Sequence, residues 1–311
     1  MSFIKTALLA TLQVVSAMSE STSSAAVPRT QQIKLVQAGR RKPDITQQEY
    51  IDYRFQKHGN ISAATVPGYD PPYKYIQTQL SLSVFYPQQN TPPPPNANQP
   101  WVGRDDITEL YLRDTAHLLS TFAGNYTKTV VGPDALNFGD VETSMSLVAK
   151  EKFIPLTASA GSGGADREAK GKRDIDSGDN EVGFFFFLAA KNGTKDGTAL
   201  ERELTPVVVE ELRALKGEAW GLSASVGTQV EGFDPIGYFG GLGLHALTYK
   251  VFLKTRGSQA AVRGAQKNVF ERAGGNIELA NSFAVWGKEG LVLDQGRGID
   301  YDPRRQPKVL C

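Results

Sequence analysis

The chemistry available to this chain centres on one histidine. His58 stands in Lys57-His58-Gly59, at the end of a segment from Thr46 to Gly59 that has the composition of a helix. Thr46 followed three residues later by Glu49 is a capping box. Ile51, Phe55 and His58 fall at i, i+4 and i+7, which places the imidazole on the apolar, inward face. Gly59 is expected to close the helix. Carbonyl oxygens at a helix carboxyl end favour imidazolium and burial opposes it, so this group should titrate within reach of neutrality, as a general acid/base must. The other reading is a helix-terminal histidine that hydrogen-bonds backbone, and the residue types leave both open.

Alternation along strands nominates partners, because successive residues face opposite sides and the more apolar set should meet the helices. In Asp106 to Leu112, Thr108, Leu110 and Leu112 form that set, so Glu109 and Tyr111 are expected to face the interior. In Lys74 to Tyr86, Ile76, Leu80 and Leu82 form it, which sends Tyr75, Gln77 and Gln79 to the interior. His58, Glu109 and Tyr111 are then the candidate catalytic residues, and Tyr75, Gln77 and Gln79 the candidate substrate-binding ones. Together they could remove a proton beside a carbonyl, stabilise the oxyanion and return the proton, with neither metal nor nucleotide. Burial should raise the Glu109 pKa, and its alternative is a rim salt bridge to Arg104 or Arg113. His117 is expected at the surface, and His245 on a helix-facing, structural side with Leu247, Val251 and Leu253. No two histidines have local metal-ligand spacing, so no metal is expected. The glycines around Gly161 and Gly237 lack the strand-loop-helix context of a phosphate cradle, and read as a linker and as a loop over the barrel mouth. Phe184 to Phe187 should be core, with one face lining the interior.

The elements that hold these residues follow in the order βαββαβ. A strand around Ile33 to Leu35 precedes the His58 helix, then come the Lys74 and Asp106 strands, separated by the loop TPPPPNANQP. A short helix from Asp114 to Gly124, capped by Asp114, and a strand from Met145 to Phe153 complete the set. After a stretch rich in Gly and charge the order recurs: Val182 to Ala190, Leu200 to Leu215, Gly221 to Gln229, Leu244 to Thr255, Ala260 to Ala273 and Ser282 to Leu293. The fold class is therefore α+β, with two ferredoxin-like βαββαβ units in one chain forming an intramolecular barrel of the dimeric α+β type. The expected organisation is a flexible segment 1–30, a first half 31–157, a disordered linker 158–181, a diverged second half 182–296 and a tail 297–311. The pocket is expected in the lumen between the two sheets.

RRKPDITQQEYIDYRFQKHG, the tyrosine-bearing second strand, WVGRDDITELYLRDTAHLLSTFAG and GPDALNFGD together resemble the EthD-like branch of the dimeric α+β barrel superfamily, over about Gln32 to Pro155. The second half follows in element order and lacks the KHG motif. The resemblance implies a tandem, cofactor-independent protein of the fungal secondary-metabolism type. Its expected substrate is a polyketide-like or phenolic aromatic, and its reaction a dehydration, a decarboxylation or an intramolecular cyclisation such as chalcone-type ring closure. That makes it a lyase or isomerase. A non-catalytic small-molecule binding barrel and a cofactor-free oxygenase of electron-rich phenols are the alternatives.

Composition bounds the partners. Lysine and arginine number 34 against 33 aspartates and glutamates, so no field directs the chain to nucleic acid or to an anionic membrane. Its one cysteine, Cys311, excludes a disulfide framework. A small aromatic substrate and either a monomeric pseudo-dimer or a homodimer are expected. Thr6 to Ala17 has the length of a signal-peptide apolar core, although Gln13 interrupts it, and sequons stand at Asn60, Asn125 and Asn192. The expected location is cytoplasmic, with secretion as the alternative if residues 1–17 are a signal peptide.

Overall fold

A computed structural model describes residues 27–85, 103–156, 174–241, 243 and 245–308. The N-terminal apolar run, the proline-rich insert and residues 158–173 of the expected linker lie outside the described residues.

The first half contains β1 (Ile33–Gly39), α1 (Gln47–Asp52), α2 (Asn60–Ser62), β2 (Lys74–Phe85), β3 (Asp106–Leu112), α3 (Thr115–Ala123), α4 (Gly132–Ala135) and β4 (Met145–Pro155). The second half contains β5 (Glu181–Ala190), α5 (Thr198–Ala214), β6 (Ala219–Gly227), α6 (Pro235–Phe239), β7 (Leu247–Leu253), α7 (Gln259–Ala273), β8 (Ile277–Glu278) and β9 (Phe283–Asp294). Within the first half the strands run β4-β1-β3-β2, and within the second β6-β7-β5-β9, the order of a ferredoxin-like unit. Antiparallel pairing of β4 with β6 and of β2 with β9 joins the two sheets edge to edge, and β5 with β7 completes the ring. Closure removes the free edges that each half would expose alone. The fold is thus the α+β barrel of two ferredoxin-like units that the element order implies. No helix among the described residues is long and apolar enough to cross a membrane.

The barrel interior is a packed core. Val36, Ala38, Leu80, Ile107, Leu147, Val182, Phe184, Phe252 and Phe283 fill it from both halves. Beside them lies a chain of buried ion pairs, in which Glu109 meets Lys34 at 2.7 Å and Lys250 at 2.6 Å, and Glu151 meets Lys34 at 2.5 Å. Lys250 also pairs with Glu289. Buried charges persist only when paired in this way, because an unpaired one carries its full desolvation cost.

This interior corrects several expectations. Glu109 and Tyr111 do face it, but Glu109 pairs there with lysines and not with Arg104 or Arg113. Burial alone would raise the Glu109 carboxyl, yet Lys250 and Lys34 outweigh it and hold the group below its ordinary value. Strand β2 has the opposite phase to the one expected. Ile76 lies across from Glu109 and packs on Tyr111 and Leu291, whereas Tyr75 and Gln77 lie across from Leu110 and Thr108 on the helix side. The part of the helix side next to β2 carries Arg54 and Asp106, while Leu35, Leu112, Leu118 and Phe122 pack elsewhere on that side, and the apolar residues of β2 turn to the interior core.

Candidate active site

A cavity of about 530 Å³ lies outside the barrel, between the first-half sheet and its helices. Its floor is the helix-facing side of β1, β2 and β3, through Gln37, Tyr75, Asp106 and Thr108. One wall is the helix begun at Thr46, whose capping box is present as the sequence predicts. Gly59 does not end that helix. The chain passes from α1 into a π-helical stretch, Tyr53–Gly59, and on through α2, with Gly59 itself in helical conformation at φ −58°.

That π stretch determines which side chains reach the cavity. Tyr50, Arg54, His58 and Ser62, each four residues apart, all line it. In a regular helix of 3.6 residues per turn such a series drifts by roughly 40° per step. The wider π turn rotates in the opposite sense and keeps the series on one wall. Phe55 is consequently directed elsewhere, against Tyr75, Val292 and Leu293, and does not share a face with His58.

Opposite this wall a second π-helical stretch, Thr127–Val131, leads into α4, which carries Asp134 in its first turn. His58 Nδ1 and Asp134 Oδ2 are 2.8 Å apart. Tyr53 donates its hydroxyl to the other carboxylate oxygen at 2.9 Å, and Asn137 donates to both Tyr53 and Asp134. Phe138 sets its ring edge-on to the imidazole, at 4.9 Å between centroids. Burial pushes Asp134 up, but the hydrogen bonds from His58 and Tyr53 outweigh it and hold the carboxyl below its ordinary value. Burial pulls His58 below 6.5, and Asp134 offsets this only in part. At neutral pH the pair is therefore a carboxylate accepting from a neutral imidazole, which fixes the Nδ1–H tautomer and leaves the lone pair on Nε2.

Further along the same wall, Arg54 pairs with Asp106 at 2.5 Å, and both are almost wholly buried. Arg54 also donates to Thr108, and Tyr50 donates its hydroxyl to Asp106. Burial raises the Asp106 carboxyl above its ordinary value despite these partners. On β1, Gln37 donates to Ser144 at 2.7 Å. The apolar share of the lining includes Phe122 and Phe138, and the second half contributes Tyr238, Phe239 and Gly240 from α6 and its end. Phe122 packs against both Tyr238 and Phe239, with centroids 4.9 and 5.4 Å away. The segment at Gly237 thus closes over the first-half cavity, not over the barrel mouth.

Of the six candidate residues, the cavity brings together His58 and Tyr75. Gln77 stands just behind, donating to the Tyr75 hydroxyl at 2.7 Å and to the Arg54 carbonyl at 3.0 Å. Gln79 is buried on β2 and does not line the cavity. Glu109 and Tyr111 lie on the opposite face of the sheet, so they do not meet His58. Asp134, Arg54, Asp106 and Tyr50 are the residues that sequence reasoning missed. Their signals were GPDAL, with proline at a helix start, and the four-residue spacing of Tyr50, Arg54 and His58.

The other two histidines do not line the cavity. His117 is buried rather than exposed, accepting the Arg113 backbone N–H at 3.0 Å and lying 3.4 Å from Asp70. His245 is buried with Nε2 on the Asn281 carbonyl at 2.9 Å. Among the described residues no group of three or more His, Cys, Asp or Glu is arranged to hold a metal ion.

Fold and site together define an α+β barrel whose cavity is built on one ferredoxin-like half. Residues 42–142 of that half match the EthD domain family, a stretch that contains both His58 and Asp134. No curated protein matches the chain in sequence. Among solved structures the chain is similar to a candidate monooxygenase from Fusobacterium nucleatum, at 9% identity and a TM-score of 0.43, over 86% of this chain and 94% of that one. It is also similar to a mutant chlorite dismutase from Candidatus Nitrospira defluvii, at 9% identity and a TM-score of 0.41, over 86% and 94% of the two chains.

Proposed function

We propose that this protein is a cofactor-independent acid/base enzyme of the lyase or isomerase kind, acting on a polyketide-like or phenolic aromatic substrate in the first-half cavity. The observation that carries the reading is the His58–Asp134 pair on the wall of a cavity whose volume lies within the ~300–1,000 Å³ usual for small-ligand sites. Aromatic and aliphatic side chains supply the stacking surface for a flat ligand, and a short polar wall supplies the chemistry.

In this reading a carbon next to a substrate carbonyl gives its proton to His58 Nε2. Asp134 stabilises the resulting imidazolium, and the electron pair of the broken C–H bond moves onto the substrate oxygen. Arg54 is the buried cation on that wall and stabilises the developing oxyanion. Returning the proton to a different carbon completes an isomerisation. Delivering it to a departing hydroxyl completes a dehydration, with water as the leaving group. In a chalcone-type ring closure His58 instead takes the proton of a substrate phenol, the phenolate oxygen bonds to the carbon β to the carbonyl as the C=C π pair moves onto the carbonyl oxygen, and the imidazolium returns the proton to the α carbon. In a decarboxylation His58 instead takes the proton of the substrate's carboxylic acid, carbon dioxide departs as the C–C electron pair moves onto the neighbouring carbonyl oxygen, and the imidazolium returns that proton to the carbon. Glu109 and Tyr111 have no place in this scheme, because the sheet separates them from the substrate.

The test is solvent exchange. A hydroxyaryl 1,3-diketone incubated with the protein in deuterium oxide should gain deuterium at the carbon between its carbonyls faster than in buffer, followed by NMR. His58→Ala should lower that enhancement by ~10² to 10⁴-fold, and Asp134→Asn by a comparable factor through loss of the tautomer. The acid limb of the rate profile should have its midpoint below 6.5, the direction in which burial moves His58. Binding without any enhanced exchange would leave the protein a binding barrel, and oxygen uptake in place of exchange would make it an oxygenase.

A further inference from the structure

The polar wall continues one step beyond His58, and its last member has no task in the mechanism above. Ser62 lies in α2, lines the cavity and is 4% exposed, yet its hydroxyl makes no hydrogen bond among the described residues. A helical serine usually returns its hydroxyl to the carbonyl four residues back, so an unused one is unexpected. The backbone around it is committed: its carbonyl accepts from the Tyr69 hydroxyl at 2.8 Å. A buried hydroxyl without a partner carries a desolvation cost that a ligand oxygen or N–H would remove.

The sheet side of the same cavity carries a second hydroxyl with spare capacity. Tyr75 lines the same cavity and is 2% exposed. Its oxygen accepts the Gln77 amide at 2.7 Å, an acceptance that leaves the phenolic hydrogen to be donated. Burial pushes the Tyr75 phenol up, so it keeps that hydrogen at neutral pH. Gln77 is itself fixed by donation to the Arg54 carbonyl, so Tyr75 is held from behind.

We propose that Ser62 and Tyr75 form a recognition subsite for a second substrate oxygen, a phenol or carbonyl set apart from the carbon that His58 deprotonates. This rests on the functional reading above and narrows its substrate class. Ser62 follows His58 by four residues along the same wall, so the recognised oxygen is set apart from the reacting carbon along that wall. The substrate is therefore an aromatic with oxygen functions on both sides of a ring system, and one bearing a single oxygen is discriminated against. A site built to hydrogen-bond an oxygen rejects the analogue that lacks it far more strongly than an apolar pocket rejects an extra methylene.

Equilibrium binding tests this without any turnover. The probes are 1,5-dihydroxynaphthalene and 1-naphthol, titrated calorimetrically against wild type, Ser62→Ala, Tyr75→Phe and His58→Ala. Wild type should bind the dihydroxy compound at least tenfold more tightly. In Ser62→Ala and in Tyr75→Phe the preference should fall to about twofold or less, while binding of 1-naphthol stays within about twofold. His58→Ala should retain a clear preference, so a failure of the acid/base reading, which appears in solvent exchange, is separable from a failure here. The melting temperature of Ser62→Ala should equal or exceed that of wild type, since a hydroxyl without a protein partner is removed; Tyr75→Phe is the second variant should Ser62→Ala fold poorly. An undiminished preference in both variants overturns the proposal, as does failure of wild type to bind either naphthol at millimolar concentration.

Discussion

The two halves carry helices in corresponding positions with the same four-residue spacing and opposite chemistry. The first presents Tyr50, Arg54, His58 and Ser62 to its sheet, and the second presents Leu200, Leu204, Val208 and Leu212. The strands answer in kind, with Asp106 and Thr108 on β3 against Leu247, Tyr249 and Val251 on β7. In the second half the seam between sheet and helices is a continuous apolar core, where Thr205 and Tyr249 share a hydrogen bond of 2.8 Å. In the first half the same seam is a cavity. Regular α-helix suffices for α5, because a broad face of it is buried and some drift of the series does no harm. The first-half wall has to aim four particular groups at one space, and there the helix widens into π turns. One half thus supplies the apolar burial that offsets the polar burial of the other, a division consistent with the general trade between stability and function.

The largest effect that could break this contrast is in the stability of the two walls. Leu204→Ala removes a fully buried side chain from the second-half seam and should cost about 2–5 kcal/mol in a denaturant titration. His58→Ala opens onto an existing cavity and leaves Asp134 its bonds from Tyr53 and Asn137, so it should cost about 1–2 kcal/mol while abolishing most of the catalysed exchange. Equal costs would mean that the first-half seam is a core as tight as the second, and the contrast would fail.

A histidine in each half sharpens the comparison through pH. His58 has a carboxylate and a cavity; His245 has a carbonyl and the edge of Phe283, and burial brings it down to about 4. The unfolded chain binds this proton at about 6.5, whereas the folded chain does so only near 4. Stability should therefore decline as pH falls through that window. The difference of about 2.5 units, at about 1.36 kcal/mol each, is a loss of about 3 kcal/mol. His245→Gln should flatten that part of a stability profile while leaving the acid limb of the exchange rate, which belongs to His58, in place. If the variant moved the rate profile and left the stability profile unchanged, the roles assigned to the two histidines would be reversed.

Local rules made much of the frame legible. The Thr46–Glu49 capping box, the alternation of β3 and the twice-repeated βαββαβ order all depend on near neighbours, and each is present. The failures share a physical origin in long-range context. The rule that apolar strand residues meet the helices inverted the phase of β2, because this barrel fills its interior with Ile76 and Leu80 and sets Arg54 and Asp106 on the helix side next to that strand. Gly59 read as a stop signal, but tertiary packing on both sides carries the helix past it. Asp134 is 76 residues from His58, and the contact between them depends on a second π stretch that no periodicity of 3.6 reveals.

The smallest expected effect concerns what holds the π turns open. Widening a helix disturbs its ladder of backbone bonds, and carbonyls left at an angle to the axis need other donors. The C-terminal segment supplies one. Tyr301 donates its hydroxyl to the carbonyls of Phe55 at 3.2 Å and Gln56 at 3.0 Å, with its ring 6.1 Å from that of Phe55. The segment can lie so close because β9 has glycine at position 290, where a Cβ would fall 2.5 Å from Pro307 and 2.7 Å from Phe55. Tyr301→Phe keeps the ring and removes only the donor. It should cost about 0.5–1.5 kcal/mol of stability, and it should lower the exchange rate per folded molecule by up to ~10-fold as His58 loses its fixed place against Asp134. Leu204→Ala, a larger loss of stability in the other half, should leave the rate per folded molecule unchanged. Equal rates for Tyr301→Phe and wild type would show that the π turns stand on the packing of Phe55 alone, and that the first-half wall needs no more support than the second.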